Sequence, residues 1–371
     1  MPALTLLHTE WSDGWGGQER RVFSEMQGMR ARGHRVLLAT RAGSALGAHA
    51  EQDGFVVYRL AFAGKFHLPT IFALWRHIRQ QGVDVVSTHS GIDSWCAALA
   101  ARMAGVALVR TRHIDLPMHA SWLNFVHFLP DRIVTCGEAM RTHLLADNPL
   151  PPERLVSIPT GIDFDRLQAQ APRASLRLQL GLGNDDRAIL MVAILRGVKR
   201  HMLALEALAR LRLSHPQARL LLAGEGPMRA ELEEHARALQ LSGQVTFLGH
   251  REDVADLLAA SDVLLLSSRS EGIPQSVVQA MGSGLPVVAT RVGGLPELID
   301  DGQNGLLVPA EDATAMAAAL QRLLDAPDLA QRLAAAARDK VRERYSYAAM
   351  LDATEKMLQD ILLARRQKAR T

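Results

Sequence analysis

The segment Ser268-Arg-Ser-Glu-Gly-Ile-Pro-Gln-Ser-Val-Val-Gln-Ala-Met-Gly-Ser-Gly-Leu-Pro brings together residue types that suit an anion site. It follows an apolar β-rich run and opens a helical pattern, with Pro274 near the first helical position. The first N–H groups of such a helix, those of Gln275, Ser276 and Val277, have no acceptor within it. Together with the helix macrodipole they stabilise a phosphate. Glu271 stands at the lip of this site, and Gln279 lies about one turn inside the helix, placed to reach another part of the same ligand. Downstream, Gly293-Gly-Leu-Pro-Glu lets the backbone approach a ligand, and Asn304-Gly-Leu-Leu-Val-Pro returns a strand to the same place.

A second group is Val192-Ala-Ile-Leu-Arg-Gly-Val-Lys-Arg-His. Arg196 and Lys199, just past a strand, can meet negative charge that grows on a leaving group as its bond breaks. Only five of the 42 basic residues are lysine, which makes one inside a motif conspicuous. Near the start, Gly14-Trp-Gly-Gly-Gln-Glu-Arg offers Gly16 and Gly17 for a tight turn with close backbone approach. His89 and His113 close two strand-like runs, and strand C-termini form the ligand rim of an open α/β sheet.

The elements that must position these residues alternate. Short apolar runs at 4–8, 35–40, 56–60, 83–88, 107–111, 132–136 and 155–158 are separated by longer helical patterns. A second series of the same kind runs from 187 to 343, with strands expected at 189–194, 219–223, 245–248, 263–266 and 287–289. This is an α/β protein of two Rossmann-like βαβ halves, each with a parallel sheet. The expected domains are 1–165 with a C-terminal helix over 347–371, and 166–346. The segment 163–185, with Pro172 and Gly181, is expected to be a linker, and the basic end of the C-terminal helix a solvated tail. The stretch from Lys65 to Arg79 is basic and amphipathic, and its place between strands predicts ordinary packing on the sheet.

Composition narrows the function. The chain has 371 residues, 48% hydrophobic and 22% charged, which fits a globular protein of about two domains and excludes a disordered one. A net charge of +3 is too balanced for nucleic-acid binding. Two cysteines make neither a metal cluster nor a disulfide framework, so a reducing cytoplasm is expected. No run approaches the length of a transmembrane helix, and the first residues read as a strand, not a signal peptide.

The motifs in their order resemble the GT-B-fold retaining glycosyltransferases of family GT4, also called glycosyl transferases group 1. The resemblance spans essentially the whole chain and is most specific in the second half. It implies two Rossmann-like domains facing across a cleft, with the C-terminal helix crossing back to the first domain. It also implies a nucleotide-sugar donor as substrate and no cofactor. Glu271 matches the glutamate expected at the donor sugar's hydroxyls. Gln279 stands where the family has a second glutamate, expected at the ribose. Lys199 matches the lysine that meets the diphosphate. Ile194 occupies the usual arginine position, with Arg196 two residues later as a shifted substitute. Gly16 and Gly17 match the Gly-Gly turn that faces the diphosphate, and His113 a histidine at the donor sugar. Ile158-Pro-Thr-Gly-Ile-Asp matches the family's junction, with Thr160 in place of Asn. The bacterial members that the chain most resembles assemble lipopolysaccharide and surface polysaccharide. That implies a glycan or glycolipid acceptor and a cytoplasmic enzyme with a peripheral contact to the inner face of a membrane.

Three other functions compete. A dinucleotide oxidoreductase needs Gly-x-Gly-x-x-Gly after the first strand, which is missing. A non-catalytic sugar-nucleotide binding protein is favoured by Gln279 and Ile194. A phosphorylase needs a pyridoxal-linked lysine, for which five lysines offer few candidates. The sequence holds no His/Cys cluster, so no metal is expected. Sugar transfer should persist in excess EDTA; complete loss of turnover, restored only by Mg²⁺ or Mn²⁺, would contradict this reading.

Overall fold

Runs rich in Val, Leu and Ile, apolar on both faces, form strands covered on both sides by helices. The computed structural model describes residues 2–113, 118 and 120–368, and the chain divides into two units: 1–161 with 348–371, and 162–347. Expectations for 369–371 lie outside the described residues.

In the first unit the described strands are β1 (Thr5–Glu10), β2 (Arg35–Thr40), β3 (Val56–Arg59), β4 (Val85–Thr88), β5 (Ala107–Arg112), β6 (Arg132–Thr135) and β7 (Leu155–Ser157). They form one parallel sheet in the order β3-β2-β1-β4-β5-β6-β7. The second unit has β8 (Arg187–Val192), β9 (Ala218–Ala223), β10 (Val245–Gly249), β11 (Val263–Leu266), β12 (Val287–Thr290) and β13 (Leu306–Val308), also parallel, in the order β10-β9-β8-β11-β12-β13. In both sheets chain order jumps at the centre, between β1 and β4 and between β8 and β11. Ligands of open α/β sheets bind where adjacent strands diverge in this way, at their carboxyl ends. Both units have the parallel α/β architecture expected. The helices at Ala45–Gln52 and Glu138–Asp147 were not anticipated; their mixed sequences show little amphipathic contrast.

Two expectations are corrected. The segment 163–185 is not a bare linker. It contains the helix Arg173–Gln179, whose Arg177 is buried and bonded to Asp262 and to the carbonyls of Ala260, Gly183 and Asp186. The C-terminal helix, Tyr347–Lys368, is not frayed where described: Arg365 bonds Asp131 and the Gly105 carbonyl, and Glu355 holds Arg32 and His34. Met350, Leu351, Leu358 and Ile361 bury its apolar side. Among the described residues no helix is long and apolar enough to cross a membrane.

The core of the first unit carries a chain of histidines. His8 Nδ1 lies 3.0 Å from His89 Nε2, and His89 Nδ1 lies 3.1 Å from His113 Nε2. The His8 and His89 rings are parallel, with centroids 5.2 Å apart. His8 Nε2 is buried and has no partner. An orphaned acceptor costs less than an orphaned buried N–H, so the N–H groups point from His8 to His89 to His113. Burial lowers the His8 pKa from 6.5 to about 4 and holds His89 well below 6.5, where His8, His113 and Arg21 add like charge. A histidine whose pKa falls on folding stabilises fully above its unfolded value, and the benefit is lost as pH drops from 6.5 through about 4. For His8 alone that loss is about 2 kcal/mol between pH 7 and 5. All five tryptophans lie in the first unit, so their fluorescence reports its unfolding. Asp93, whose pKa is raised to about 7 by burial and nearby Glu10, tilts stability the other way. The informative quantity is therefore the difference between wild type and His8→Asn. The variant should lose less stability than wild type on going from pH 7 to 5; equal losses would show that His8 is not held neutral.

Candidate functional site

At the centre of the second sheet, the loop after β8 meets the loop after β11. Lys199 comes from the first and Glu271 from the second. Lys199 Nζ donates to Glu271 Oε1 at 2.6 Å, with side-chain exposures of 21% and 7%. Ser268 Oγ donates to the same carboxylate oxygen. A short charged pair with an added hydroxyl donor is a strong, directional arrangement when mostly withdrawn from water.

The backbone around the pair is tied from several sides. Ser267 Oγ donates to the carbonyls of Lys199 (3.0 Å) and Arg200 (2.9 Å), and Arg269 N–H to Val198 O at 2.8 Å. Thr290 Oγ1, at the end of β12, donates to Ser268 O at 2.6 Å. The Lys199 loop also rests on the turn after β9: Leu195 N–H donates to Glu225 O at 2.9 Å, and Met228 N–H to Leu195 O at 3.1 Å. A Cβ on Gly226 would stand 2.4 Å from Leu195 O. On the other flank Gly293, with φ of 52°, packs its Cα against the Glu271 peptide; a Cβ there would stand 1.8 Å from Glu271 O. The Gly293-Gly turn, expected to approach a ligand, thus approaches and fixes the loop that carries Glu271.

The expected helix is Gln275–Gly282, with Pro274 at its N-cap. Val277 is corrected as an anion donor: its N–H already bonds Pro274 O at 3.1 Å and its side chain is fully buried. The N–H groups of Gln275 and Ser276 find no acceptor among the described residues. The Gln279 side chain is half-buried and likewise without a partner among them. The Arg196 side chain is exposed and pairs with neither Lys199 nor Glu271, although its carbonyl accepts from the Lys199 N–H at 3.0 Å, while Leu195 beside it is buried. Ile194 and Val198 leave an apolar edge on this loop, each 43% exposed.

In the first unit Gly16 is the N-cap of the helix Gly17–Ala31, and its N–H donates to Glu19 Oε2 at 2.8 Å. Both glycines are exposed just past β1. His113 is half-buried past β5; its Nε2 faces His89 and its Nδ1 lies 3.9 Å from Cys136 Sγ. Sequence reasoning missed two carboxylates at this rim. Glu10, fully buried, accepts from the N–H groups of Trp11 and Ser12 and from Gln18 Nε2. Asp93, also fully buried, accepts from Thr9 Oγ1, the His89 N–H and both Ser90 donors. Ser90-Gly-Ile-Asp93 is a capping-box pattern, and that spacing was the available signal.

Known proteins match the chain in sequence and in fold. Residues 173–340 match the family model described as glycosyl transferases group 1, and residues 15–166 the one described as glycosyltransferase family 4. The chain is 28% identical to the N-acetyl-alpha-D-glucosaminyl L-malate synthase of Bacillus anthracis over 76% of each protein. It superposes on Anabaena HepE, solved in complex with UDP, with a TM-score of 0.86 and 23% identity over 96% of this chain and 100% of that one. It also superposes on WaaG, a glycosyltransferase involved in lipopolysaccharide biosynthesis, with a TM-score of 0.68 and 19% identity over 96% and 99%. With both halves matched in order and the GT-B architecture in place, the chain belongs to the group 1 glycosyltransferases of family GT4 and is a sugar-transferring enzyme.

Proposed function

We propose that this glycosyltransferase moves a sugar from a nucleotide-sugar to the hydroxyl of a glycan or glycolipid, with retention of anomeric configuration, in lipopolysaccharide or surface-polysaccharide assembly at the cytoplasmic face of a membrane. The observation that carries the reading is the Lys199–Glu271 pair at the carboxyl ends of β8 and β11. Lys199 would stabilise charge developing on the leaving diphosphate, and Glu271 would receive hydrogen bonds from the donor sugar's hydroxyls. The N–H groups of Gln275 and Ser276 add fixed positive dipoles for a phosphate. The amide of Gln279 can hold a ribose diol by accepting through oxygen and donating through nitrogen. No metal enters this scheme. HepE, which was solved with UDP, makes UDP-sugars the first donors to try. By the family resemblance, Gly16, Gly17, His113 and Arg196 would also face the donor.

Turnover of UDP-, GDP- and ADP-sugars, with the product's anomeric proton read by NMR, tests the reading. An inverted product would overturn retention. Lys199→Ala should lower kcat/KM by about two decades or more, with circular dichroism unchanged. Gln279→Ala should act on donor KM more than on kcat, Glu271→Ala the reverse. Wild-type turnover by a folded Lys199→Ala protein would remove Lys199 from the site.

A further inference from the structure

The helix Leu68–Gln81 buries Thr70, Ile71, Leu74 and Ile78, packing on the helix Gly91–Ala104 and the core of the first unit. Its opposite stripe is not the solvated face that ordinary packing predicts. Leu68 is 72% exposed and Phe72 58%, followed on the same side by exposed Arg76 and Arg79. Phe66, just before the helix, is 56% exposed. Trp122 and Leu123 are exposed too, at 82% and 65%, ahead of the short turn Phe125–Phe128. Trp95 joins these segments from beneath: its ring centroid lies 4.9 Å from that of Phe66 and 5.4 Å from that of Phe125. Lys65 Nζ stands 5.2 Å from the same ring. Much of the large exposed apolar surface of the first unit therefore gathers on one face.

The described segments that make up this face, 56–83 and 121–130, carry charge of a single sign. From Val56 through Val83 the sequence has no Asp or Glu, and it carries Arg59, Lys65, Arg76 and Arg79. Arg59 is held by Glu51, but Lys65, Arg76 and Arg79 have no carboxylate partner among the described residues. The segment from Ser121 to Pro130 also lacks acidic residues.

We infer that this face docks onto an anionic lipid surface. Exposed apolar side chains on the same elements as cations without a carboxylate partner among the described residues match a bilayer whose headgroups are negative and whose interior is apolar. Tryptophan suits the boundary between the two. A second copy of the chain fits poorly, because a two-fold contact through this face would set Lys65, Arg76 and Arg79 against themselves. The inference deepens the proposed glycolipid acceptor by naming the surface that would bring the enzyme to it. Binding is measured here without any sugar transfer, so the two can fail separately.

The test is co-sedimentation of the full chain with vesicles of phosphatidylcholine and phosphatidylglycerol, compared with pure phosphatidylcholine, at low and high salt. The protein should partition onto the mixed vesicles, less at high salt and little onto the neutral ones. Brominated lipid should quench tryptophan fluorescence. Trp122→Ser with Leu123→Ser, and separately Lys65→Glu with Arg76→Glu, should each weaken partition about tenfold or more. Far-UV circular dichroism should be unchanged, and transfer to a water-soluble acceptor preserved. No partition of wild type onto anionic vesicles, or partition untouched by both pairs of substitutions, would overturn the inference. So would a concentration-dependent dimer abolished by Leu123→Ser, which would make a second copy the occupant. If the variants fold poorly, quenching of the wild-type protein decides alone.

Discussion

The second unit is organised around one interaction, the 2.6 Å bond between Lys199 and Glu271. Two opposite charges this far out of water attract strongly, but each lost hydration to get there, so the geometry must be tight for the pair to be stable. That requirement explains the surroundings. Ser267 grips the Lys199 loop by two carbonyls, Ser268 adds a donor to the carboxylate, and Thr290 holds Ser268 in turn. Gly226 and Gly293 lie where any side chain would strike the backbone of the loops bearing the pair. The parallel sheet supplies the meeting point, because β8 and β11 are neighbours although separated in sequence by two βα units. On the proposed reading, a donor entering here would exchange contacts with a pair already oriented, so little of its binding energy would be used to order the loops.

The first unit meets a related constraint by the opposite means. Its rim and core hold ionisable groups that burial drives toward neutrality: His8, His89 and His113 as neutral rings, and Asp93 and Glu10 with raised pKa values. Glu10, Asp93 and His89 are held by directed hydrogen bonds instead of by a counter-charge, while His8 keeps one ring nitrogen without a partner.

Much of this was legible in the sequence, for physical reasons. Strands buried on both faces read as continuous apolar runs, so β2 and β11 could be placed at Arg35–Thr40 and Val263–Leu266. Glu271 stood out because it stands at the lip of a helix N-terminus suited to a phosphate, and Lys199 because lysine is scarce in an arginine-rich chain. Their contact could not be read, since 72 residues separate them and only the sheet order brings them together. The helix Arg173–Gln179 was hidden by Pro172 and Gly181, which read as breaks but serve as its boundaries. Val277 illustrates a further limit: sequence marks where a helix begins, but not that its first turn tightens and consumes an N–H. Periodicity likewise identified the buried side of Leu68–Gln81 without showing that its other side would remain apolar and uncovered.

The central claim is that Lys199 and Glu271 act as one unit in sugar transfer, and a double-mutant cycle on kcat/KM tests it most directly. Lys199→Met, Glu271→Gln and the double variant would be compared with wild type using a nucleotide-sugar that the enzyme turns over. The account predicts strong non-additivity, with the double variant little worse than the poorer single one and a coupling of about 2 kcal/mol or more. Losses that simply add, to within about 0.5 kcal/mol, would show that the two residues contribute independently and would contradict it.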